Sequence, residues 1–297
     1  KDGMAYKTEI PVKKEKNENF EFILLNDESK LSLVINSIPR DAIVAFDTET
    51  TDTDTKKAQI VGFSFSYEEN KAYYVPISHF YLGAPLQISK EAAKNAIIQL
   101  NKYKLVLQNF KYDYEIIRNN FDLELKLYAD TMILSWLLDS SEKVGLDYQV
   151  DKYFDHKMIS FKDVVKKGED FSNVDVNDAC NYAAEDALMT LKLYKKQLEI
   201  FEKEENKDLL DIAFKYEFDF IYVLADMEKH GIKVDIDLLA QLKEDNNKYI
   251  QELTLEIYKL AGYEFNINSP KQLGELLFER LNLPSSKKTK TGYSTNE

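Results

Sequence analysis

Several residue types are scarce in this sequence, and each shortage excludes a class of protein. The 297 residues include one cysteine, Cys180, so an internal disulfide is impossible and a reducing compartment, the cytoplasm, is expected. No apolar run reaches the roughly 18 residues of a membrane-spanning helix, and residues 1–4 do not resemble a secretion signal. Glycine and proline are few, with 9 and 6 residues, as expected of a well-folded soluble chain.

Acidic side chains outnumber basic ones. Lys and Arg total 39 against 52 Asp and Glu, which gives a formal net charge of -13. A broad basic surface that grips long duplex nucleic acid is therefore not expected. The acidity still leaves room for a site that takes a few nucleotides through metal ions, because such a site needs carboxylates rather than basic side chains.

The most informative stretch is Ile43–Thr50, an apolar run rich in β-branched and aromatic residues. It predicts a buried strand that ends in Asp47 and Glu49. Side chains alternate along a strand, so these two carboxylates project to the same side. Like charges so placed repel unless a cation lies between them, and an all-oxygen pair suits Mg2+ or Mn2+. The plainer alternative is an acidic strand end exposed to water.

Two further acidic positions follow along the chain. Asp113 comes after a predicted strand at 104–108, in the first turn of a helix, where the helix macrodipole alone already favours a carboxylate. Asp186 lies on a predicted helix, four residues after Tyr182 and on the same, largely apolar face. An aspartate there is costly unless it is paired or metal-bound, and a salt bridge in the core is the alternative. The predicted solvent stripe of this helix contains Asn181, Glu185 and Lys192.

The order of the predicted elements indicates an α/β fold. The strands of a predicted antiparallel meander are 43–50, 59–67 and 72–77. Strands then alternate with helices, which is typical of a sheet with covered faces. Residues 150–175 lack periodicity and predict a loop with short helical turns. From residue 175 the pattern is helical, with helix ends expected at Gly231 and Gly262, so we expect a domain boundary near residue 202.

Taken together, the acidic sites occur in the order D-x-E, then Asp, then Tyr-x-x-x-Asp. Their local sequences are A-F-D-T-E-T at 45–50, Q-N-F-K-Y-D at 108–113 and Y-A-A-E-D-A at 182–187. This order resembles the three exonuclease motifs of the proofreading domain in family A DNA polymerases, the bacterial DNA polymerase I family. The resemblance continues through Y-V-P-I-S-H ending at His79, and through M-E-K-H-G-I-K-V-D and F-N-I-N-S-P-K-Q-L in the later helical part.

The resemblance implies a fold and a domain organisation. Residues 1–202 would form a 3'-5' exonuclease domain of ribonuclease H-like architecture, a mixed sheet flanked by helices. Residues 203–297 would form the helical connection and the beginning of the polymerase thumb. The palm and fingers that carry polymerase chemistry in this family are absent from the sequence, so polymerase activity is not expected of this chain alone.

The resemblance also implies roles for the acidic residues. Asp47, Glu49 and Asp186 would hold one divalent cation, and Asp47 with Asp113 would hold a second. Tyr182 would orient the attacking water. Two cations about 4 Å apart, Mg2+ or Mn2+, can activate a water on one side of a scissile phosphate and stabilise the leaving 3′ oxygen on the other.

Other side chains are expected to contact the substrate. Asn109 resembles a family position near the terminal nucleotide. Three lysines near the end, Lys287, Lys288 and Lys290, are expected to contact the phosphates of a duplex, with a solvated loop as the alternative. Aromatic strand residues could stack on bases but are more often core; these are Phe63, Phe65 and Tyr73.

The resemblance therefore implies a two-metal 3'-5' exonuclease that proofreads in DNA replication and repair and releases 5′-monophosphates. Its expected partners are the single-stranded 3′ end of DNA and a primer-template duplex, with no membrane and a monomeric, cytoplasmic chain. Two alternatives stay open: a non-catalytic module that positions DNA for a polymerase, and a stand-alone 3'-5' exoribonuclease of the same superfamily.

Overall fold

The computed structural model describes residues 19–203, 206–284, 288–289, 292–293 and 295. At 288–289 and 292–293 it describes the backbone alone. The chain divides into two units between His230 and Gly231. The first unit contains a mixed sheet and its covering helices, and the second is mainly helical.

Six strands form the sheet of the first unit. They are β1 (Glu21–Leu24), β2 (Ile43–Thr50), β3 (Ile60–Ser66), β4 (Lys71–Pro76), β5 (Lys104–Leu107) and β6 (Leu127–Asp130). The order across the sheet is β1-β4-β3-β2-β5-β6, with β2 antiparallel to β3 and parallel to β5. Strands β2, β3 and β4 form the predicted antiparallel meander, and the α/β prediction is confirmed.

Helices alternate with and follow these strands. They are α1 (Glu28–Ser37), α2 (Lys90–Leu100), α3 (Phe110–Phe121), α4 (Thr131–Leu138), α5 (Leu146–Phe154), α6 (Phe161–Val164), α7 (Val176–Phe201), α8 (Lys207–Ile212) and α9 (Phe218–His230). The side chains of Asp27, Ser89 and Asp175 accept backbone N–H groups at the starts of α1, α2 and α7. These caps satisfy donors that a helix start otherwise leaves unpaired.

The long helix α7 lies across β2, β3 and β4. Ala183, Ala184 and Ala187 are fully buried on its sheet-facing side, and such small side chains let a helix approach a sheet closely. Cys180 is also buried, as a packing residue. Because α7 carries both Tyr182 and Asp186, the position of α7 on the sheet determines how close those side chains come to β2.

The aromatic residues of β3 and β4 belong to the core. Phe63 and Phe65 are fully buried, and Tyr73 is nearly so. The Phe65 and Tyr73 rings stack with centroids 5.0 Å apart, and Phe63 stacks on Phe46 at 5.6 Å. The packing alternative is therefore confirmed for these rings, and stacking on nucleic-acid bases is excluded.

The stretch 150–175, predicted as a loop with short helical turns, contains the four-residue helix α6 and a 3-10 turn at Phe171–Asn173. It agrees with the prediction apart from the end of α5, which reaches Phe154. Strand β6 and helix α4 were not predicted. Strand β6 is short and is held in the sheet by its pairing with β5. Asp130 then begins α4 by accepting the backbone N–H groups of Met132 and Ile133.

The second unit is built on α10 (Ile236–Ala261), followed by α11 (Pro270–Gly274). The predicted glycine stop of α10 is confirmed, since Gly262 adopts a left-handed conformation with φ 77°, which glycine adopts without a steric cost. A two-stranded ribbon pairs Lys288–Thr289 with Gly292–Tyr293. Among all described helices, none has the length and apolar character needed to cross a membrane.

Candidate active site

Three predicted acidic residues meet where β2 and α7 cross. Asp47 and Glu49 project from β2 and Asp186 projects from α7, and carboxylate oxygens of the three lie within 4.8 Å of one another. The two-residue spacing on the strand and the crossing helix produce this convergence. Glu49 is buried, whereas Asp47 and Asp186 are half-buried, so the group lies at the edge of the core with access to solvent.

Asp113 lies beside this group. It occupies the first turn of α3, as predicted, and it is 2 % exposed. Its Oδ1 accepts two hydrogen bonds from Thr48, one from the backbone N–H at 3.0 Å and one from Oγ1 at 2.6 Å. Since Thr48 stands between Asp47 and Glu49 on β2, these bonds fasten the fourth carboxylate to the strand that carries the first two.

The four carboxylates repel one another. Burial, with a smaller opposing hydrogen bond from the Thr48 backbone, raises the pKa of Asp47 to about 7. Burial and then repulsion by Asp47 raise the pKa values of Glu49, Asp113 and Asp186 well above the ordinary range. Negative charge is thus held together here at an electrostatic cost.

The donor set fits a hard divalent cation. All the converging ligands are carboxylate oxygens, the atoms that Mg2+ and Mn2+ prefer. Oε1 of Glu49 is buried and has no hydrogen-bond partner among the described residues, and a buried acceptor without a partner is costly. A cation bound to Asp47, Glu49 and Asp186 would satisfy that atom and offset the repulsion.

Tyr182 lies one helical turn before Asp186 and is half-buried. Burial and then the charge of Asp186 raise its pKa, so the phenol stays protonated at neutral pH. Its ring packs against Phe171 at 5.8 Å and edge-on against Phe161 at 6.2 Å. Phe161 is 49 % exposed. The sequence analysis did not select Phe161, which offers a ring beside the acidic group.

Asn109 marks the turn from β5 into α3. Its backbone is left-handed, with φ 66° and ψ 52°, and its side chain makes no capping hydrogen bond to the helix. Asp130 holds this turn, because its carboxylate accepts the N–H groups of Asn109 at 3.2 Å and Phe110 at 2.8 Å. Asp130 is 1 % exposed. It was not selected as a site residue, although it fixes the start of the helix that bears Asp113.

Glu185 is buried, although it belongs to the predicted solvent stripe of α7. Its side chain is only 5 % exposed, so the prediction of a solvent-facing position is wrong. Its carboxylate interacts with Nε2 of His156 at 2.8 Å and accepts the N–H of Ile159 at 2.7 Å. The segment 155–160 crosses this face of the helix, and no periodicity within α7 reveals that a distant segment covers it.

A buried histidine fastens the beginning of α7 to the sheet. Nδ1 of His79 lies 3.0 Å from the carbonyl oxygen of Val174 and therefore donates to it, so Nε2 accepts from the hydroxyl of Tyr74 at 2.7 Å. Burial lowers the pKa of His79 to about 4, which keeps the imidazole neutral. The Tyr74 hydroxyl lies against Gly62, which pairs with Glu49 across β2 and β3. His79 and Tyr74 thus connect the start of α7 to β3, the strand that pairs with β2 at Glu49.

The predicted lysine contacts cannot be placed on the structure. Lys287 and Lys290 lie outside the described residues, and Lys288 lies on a described strand whose side chains are not described. Nothing in the geometry of the site bears on these three residues.

The sequence matches two known family models. A model of the 3'-5' exonuclease family matches residues 22–202, which include all four carboxylates. The chain belongs to the 3'-5' exonuclease family. A second model, DNA polymerase family A, matches residues 236–297 of this exonuclease chain. Both matches confirm the resemblance to family A DNA polymerases.

Relatives of this exonuclease chain are named DNA polymerase I. The protein of Borreliella burgdorferi is 36% identical over 280 residues, covering 92% of this chain and 30% of its own length. The protein of Pseudomonas aeruginosa is 34% identical over 300 residues, covering 98% and 32%. The chain thus spans about a third of the curated relatives it matches.

A solved structure shows the same fold. The POL domain of Pol1 from M. smegmatis, in complex with DNA primer-template and dNTP, aligns with a TM-score of 0.66 and 21% sequence identity. The alignment covers 92% of this chain and 43% of that one. Together with the mixed sheet and its flanking helices, it supports the predicted ribonuclease H-like architecture. The chain thus contains a 3'-5' exonuclease domain with an acidic group that could bind divalent metal.

Proposed function

We propose that this exonuclease domain removes nucleotides from the single-stranded 3′ end of DNA with the help of two divalent cations, Mg2+ or Mn2+. The observation that carries the proposal is the convergence of Asp47, Glu49 and Asp186 within 4.8 Å, with Asp113 fastened beside them. When bound, the cations supply an activated water and stabilise the leaving 3′ oxygen, so each cleavage releases a 5′-monophosphate.

The carboxylates have distinct tasks in this proposal. Asp47, Glu49 and Asp186 would hold one cation, with the unpartnered Oε1 of Glu49 as one of its ligands. Asp47 and Asp113 would hold the other. Both hydrogen bonds to Asp113 go to Oδ1, so the carboxylate is fixed in orientation and Oδ2 is the oxygen that we assign to the cation.

Three further side chains bind and orient the substrate. The raised pKa of Tyr182 keeps its hydroxyl protonated, so we assign it to orient the attacking water by hydrogen bonding rather than to remove a proton. Asn109, whose side chain does not cap its helix, is assigned to the terminal nucleotide. The exposed ring of Phe161 is assigned to stack on a base, because base stacking on aromatic side chains is sequence-tolerant.

The larger context is also a proposal. Relatives named DNA polymerase I extend well beyond this chain, so we propose that it forms part of a family A DNA polymerase in replication and repair. Residues 1–202 would be the exonuclease domain, and 203–297 the helical connection and the beginning of the thumb. Lys287, Lys288 and Lys290 would contact a primer-template duplex. The expected compartment is the bacterial cytoplasm, and the expected state is a monomer.

A degradation assay tests the proposal. Single-stranded DNA labelled at its 5′ end is incubated with the protein and Mg2+, and the expected result is a ladder of shortened strands with Asp47→Ala inactive. The matched control, Asp41→Ala, changes an exposed aspartate in the turn before β2 and should keep full activity. An undiminished ladder with Asp47→Ala would refute the proposal. Replacing DNA by RNA in the assay tests the exoribonuclease alternative.

A further inference from the structure

A cavity of about 800 Å³ lies along α3, the helix that carries Asp113. Its walls are the loop between β2 and β3, one side of α3 and the last turn of α9. Asn109 and Tyr112 belong to the lining, whereas none of the four carboxylates of the candidate active site does. The cavity comes nearest to that site at Tyr112, whose hydroxyl hydrogen-bonds Thr50, the residue after Glu49.

The loop wall of this cavity is held in place by side chains of α3. The hydroxyl of Tyr112 donates to the carbonyl oxygen of Asp52 at 2.7 Å. Thr55 donates through Oγ1 to Glu115 at 2.6 Å and accepts from Asn119 through its carbonyl oxygen at 3.0 Å. Three successive turns of the helix thus fasten the loop, and the cavity is a built feature rather than a gap under a loose loop.

Four cations line the cavity: Lys56, Lys111, Arg118 and Lys229. This concentration is unusual in a chain with a net charge of -13. Of the four, Lys111 has an ion-pair partner, Glu228, at 2.5 Å. The other three form no ion pair with any residue in the described part of the chain.

The walls also contain three carboxylates, so the formal charge of the lining is +1. Asp54 pairs with Lys57, which lies outside the lining, at 2.8 Å. Glu115 accepts from a loop hydroxyl, and Glu228 is the partner of Lys111. The lining thus keeps a small positive charge, although Lys56, Arg118 and Lys229 have no close ion-pair partner in the described part of the chain.

Arg118 is the most fixed of the cations. Its guanidinium lies over the ring of Tyr114, 5.0 Å from the centroid, and this contact restrains the side chain. Its Nε is buried and has no hydrogen-bond partner among the residues that the structure describes. A planar guanidinium held in this way suits an oxyanion, because it can present parallel N–H donors to phosphate oxygens.

We propose that this cavity binds the DNA strand at the phosphate that precedes the scissile one, through Arg118 and Lys229 with support from Lys56. The inference rests on the proposed function, which holds the 3′-terminal nucleotide at the carboxylates. Arg118 is five residues beyond Asp113, so it lies about 7.5 Å further along the helix axis and about 140° around it. Arg118 is thus separate from the carboxylates, and we assign to it a phosphate before the scissile one.

The experiment compares strands that do and do not contain that phosphate. A thymidine dinucleotide without a 5′ phosphate has the scissile phosphodiester alone, whereas a twelve-nucleotide thymidylate also has the preceding one. With Arg118→Gln/Lys229→Gln, KM for the longer strand should rise about tenfold and KM for the dinucleotide less than twofold, with kcat unchanged. The salt dependence of binding should weaken by about 0.7 per lost phosphate contact.

Two controls separate the charge effect from other causes. Arg40→Gln/Lys94→Gln removes the same charge outside the cavity and should leave both KM values unchanged. Arg118→Lys keeps the charge but loses the parallel N–H donors, so its KM on the longer strand should lie between those of the wild type and Arg118→Gln/Lys229→Gln. An equal rise of KM for both substrates, or no rise for the longer one, would overturn the proposal.

A binding assay keeps this test independent of the proposed cleavage. Fluorescence anisotropy of the labelled twelve-nucleotide strand is measured on Asp186→Asn protein, in which cleavage is not expected. Adding Arg118→Gln/Lys229→Gln should weaken binding about tenfold, and unchanged binding would refute the phosphate site. If the wild type cleaves neither strand, the proposed function fails while this result still decides the cavity.

Discussion

Carboxylate oxygens of Asp47 and Asp186 lie within 4.8 Å of each other, although one residue is on the central strand and the other is on the helix that crosses it. Two half-buried negative charges at this separation destabilise the fold unless something positive lies between them. The backbone nevertheless holds them together from opposite sides of the β2–α7 contact. The fold therefore tolerates an unfavourable arrangement whose benefit lies in binding cations.

Removing one of these charges should stabilise the metal-free protein. In Asp186→Asn at pH 8 with EDTA, the free energy of unfolding should rise by about 1–2 kcal/mol, because one of the repelling carboxylates is gone. Exonuclease activity should be lost in the same variant. Urea denaturation measures the first effect, and Asp41→Asn provides a control in which neither stability nor activity changes. A less stable Asp186→Asn protein would contradict the repulsion.

The stability of the metal-free protein should fall as pH rises. Asp47 has a folded-state pKa of about 7 and an unfolded value near 3.9. A raised pKa means that the folded state holds the proton more tightly, so the stabilisation is full below about pH 4 and is lost as pH rises through about 7. Urea denaturation from pH 4 to 8 measures this loss.

Divalent cations should reverse that trend. With saturating Mn2+, bound cations replace the protons, and stability should no longer decline toward pH 8. The difference between the Mn2+ and EDTA curves isolates the site from other titrating groups. Parallel curves at every pH would indicate that no cation binds to these carboxylates.

Loss of His79 should disturb the active site from a distance. His79→Leu removes the bonds to Tyr74 and Val174, so the start of α7 loosens and the free energy of unfolding falls by about 2–3 kcal/mol. Asp186 lies on the same helix, so its position relative to Asp47 and Glu49 becomes less fixed. Mn2+ affinity should therefore fall about tenfold. His230→Leu, at an exposed position, is the control. Unchanged Mn2+ affinity in a destabilised His79→Leu protein would assign His79 a purely structural role.

Glu185 should act through the segment that it holds. Glu185→Ala releases His156 and Ile159, which precede the exposed ring of Phe161. KM for single-stranded DNA should rise about fivefold with little change in kcat, because the base-stacking surface is less ordered. In a double-mutant cycle with Phe161→Ala the two effects should not add. Full additivity would show that Glu185 works independently of that ring, and Glu199→Ala, an exposed position on α7, is the control.

Local sequence signals predicted much of the fold. The apolar run at 43–50 predicted β2, and the following strands predicted the meander. Gly262 predicted the end of α10, because these features depend on neighbours in the chain. Strand β6 and the burial of Glu185 were missed, since β6 is short and is held in the sheet by its pairing with β5, and Glu185 is covered by the segment 155–160. Such contacts have no periodic trace in the sequence.

The candidate site was predictable in a different way. Asp47 and Glu49 could be paired from strand geometry alone, but Asp113 and Asp186 each had an ordinary structural explanation. Only the resemblance to an exonuclease family joined all four before coordinates were considered. The supporting residues Asp130 and His79 act through hydrogen bonds to distant backbone groups, which no local pattern specifies.

The central claim is that these carboxylates bind two divalent cations. Calorimetric titration of Mn2+ into the metal-free chain tests it most directly. Two equivalents should bind to the wild type, one to Asp113→Asn, and none tightly to Asp47→Asn, which is assigned to both cations. The same stoichiometry in the wild type and Asp47→Asn would contradict the claim.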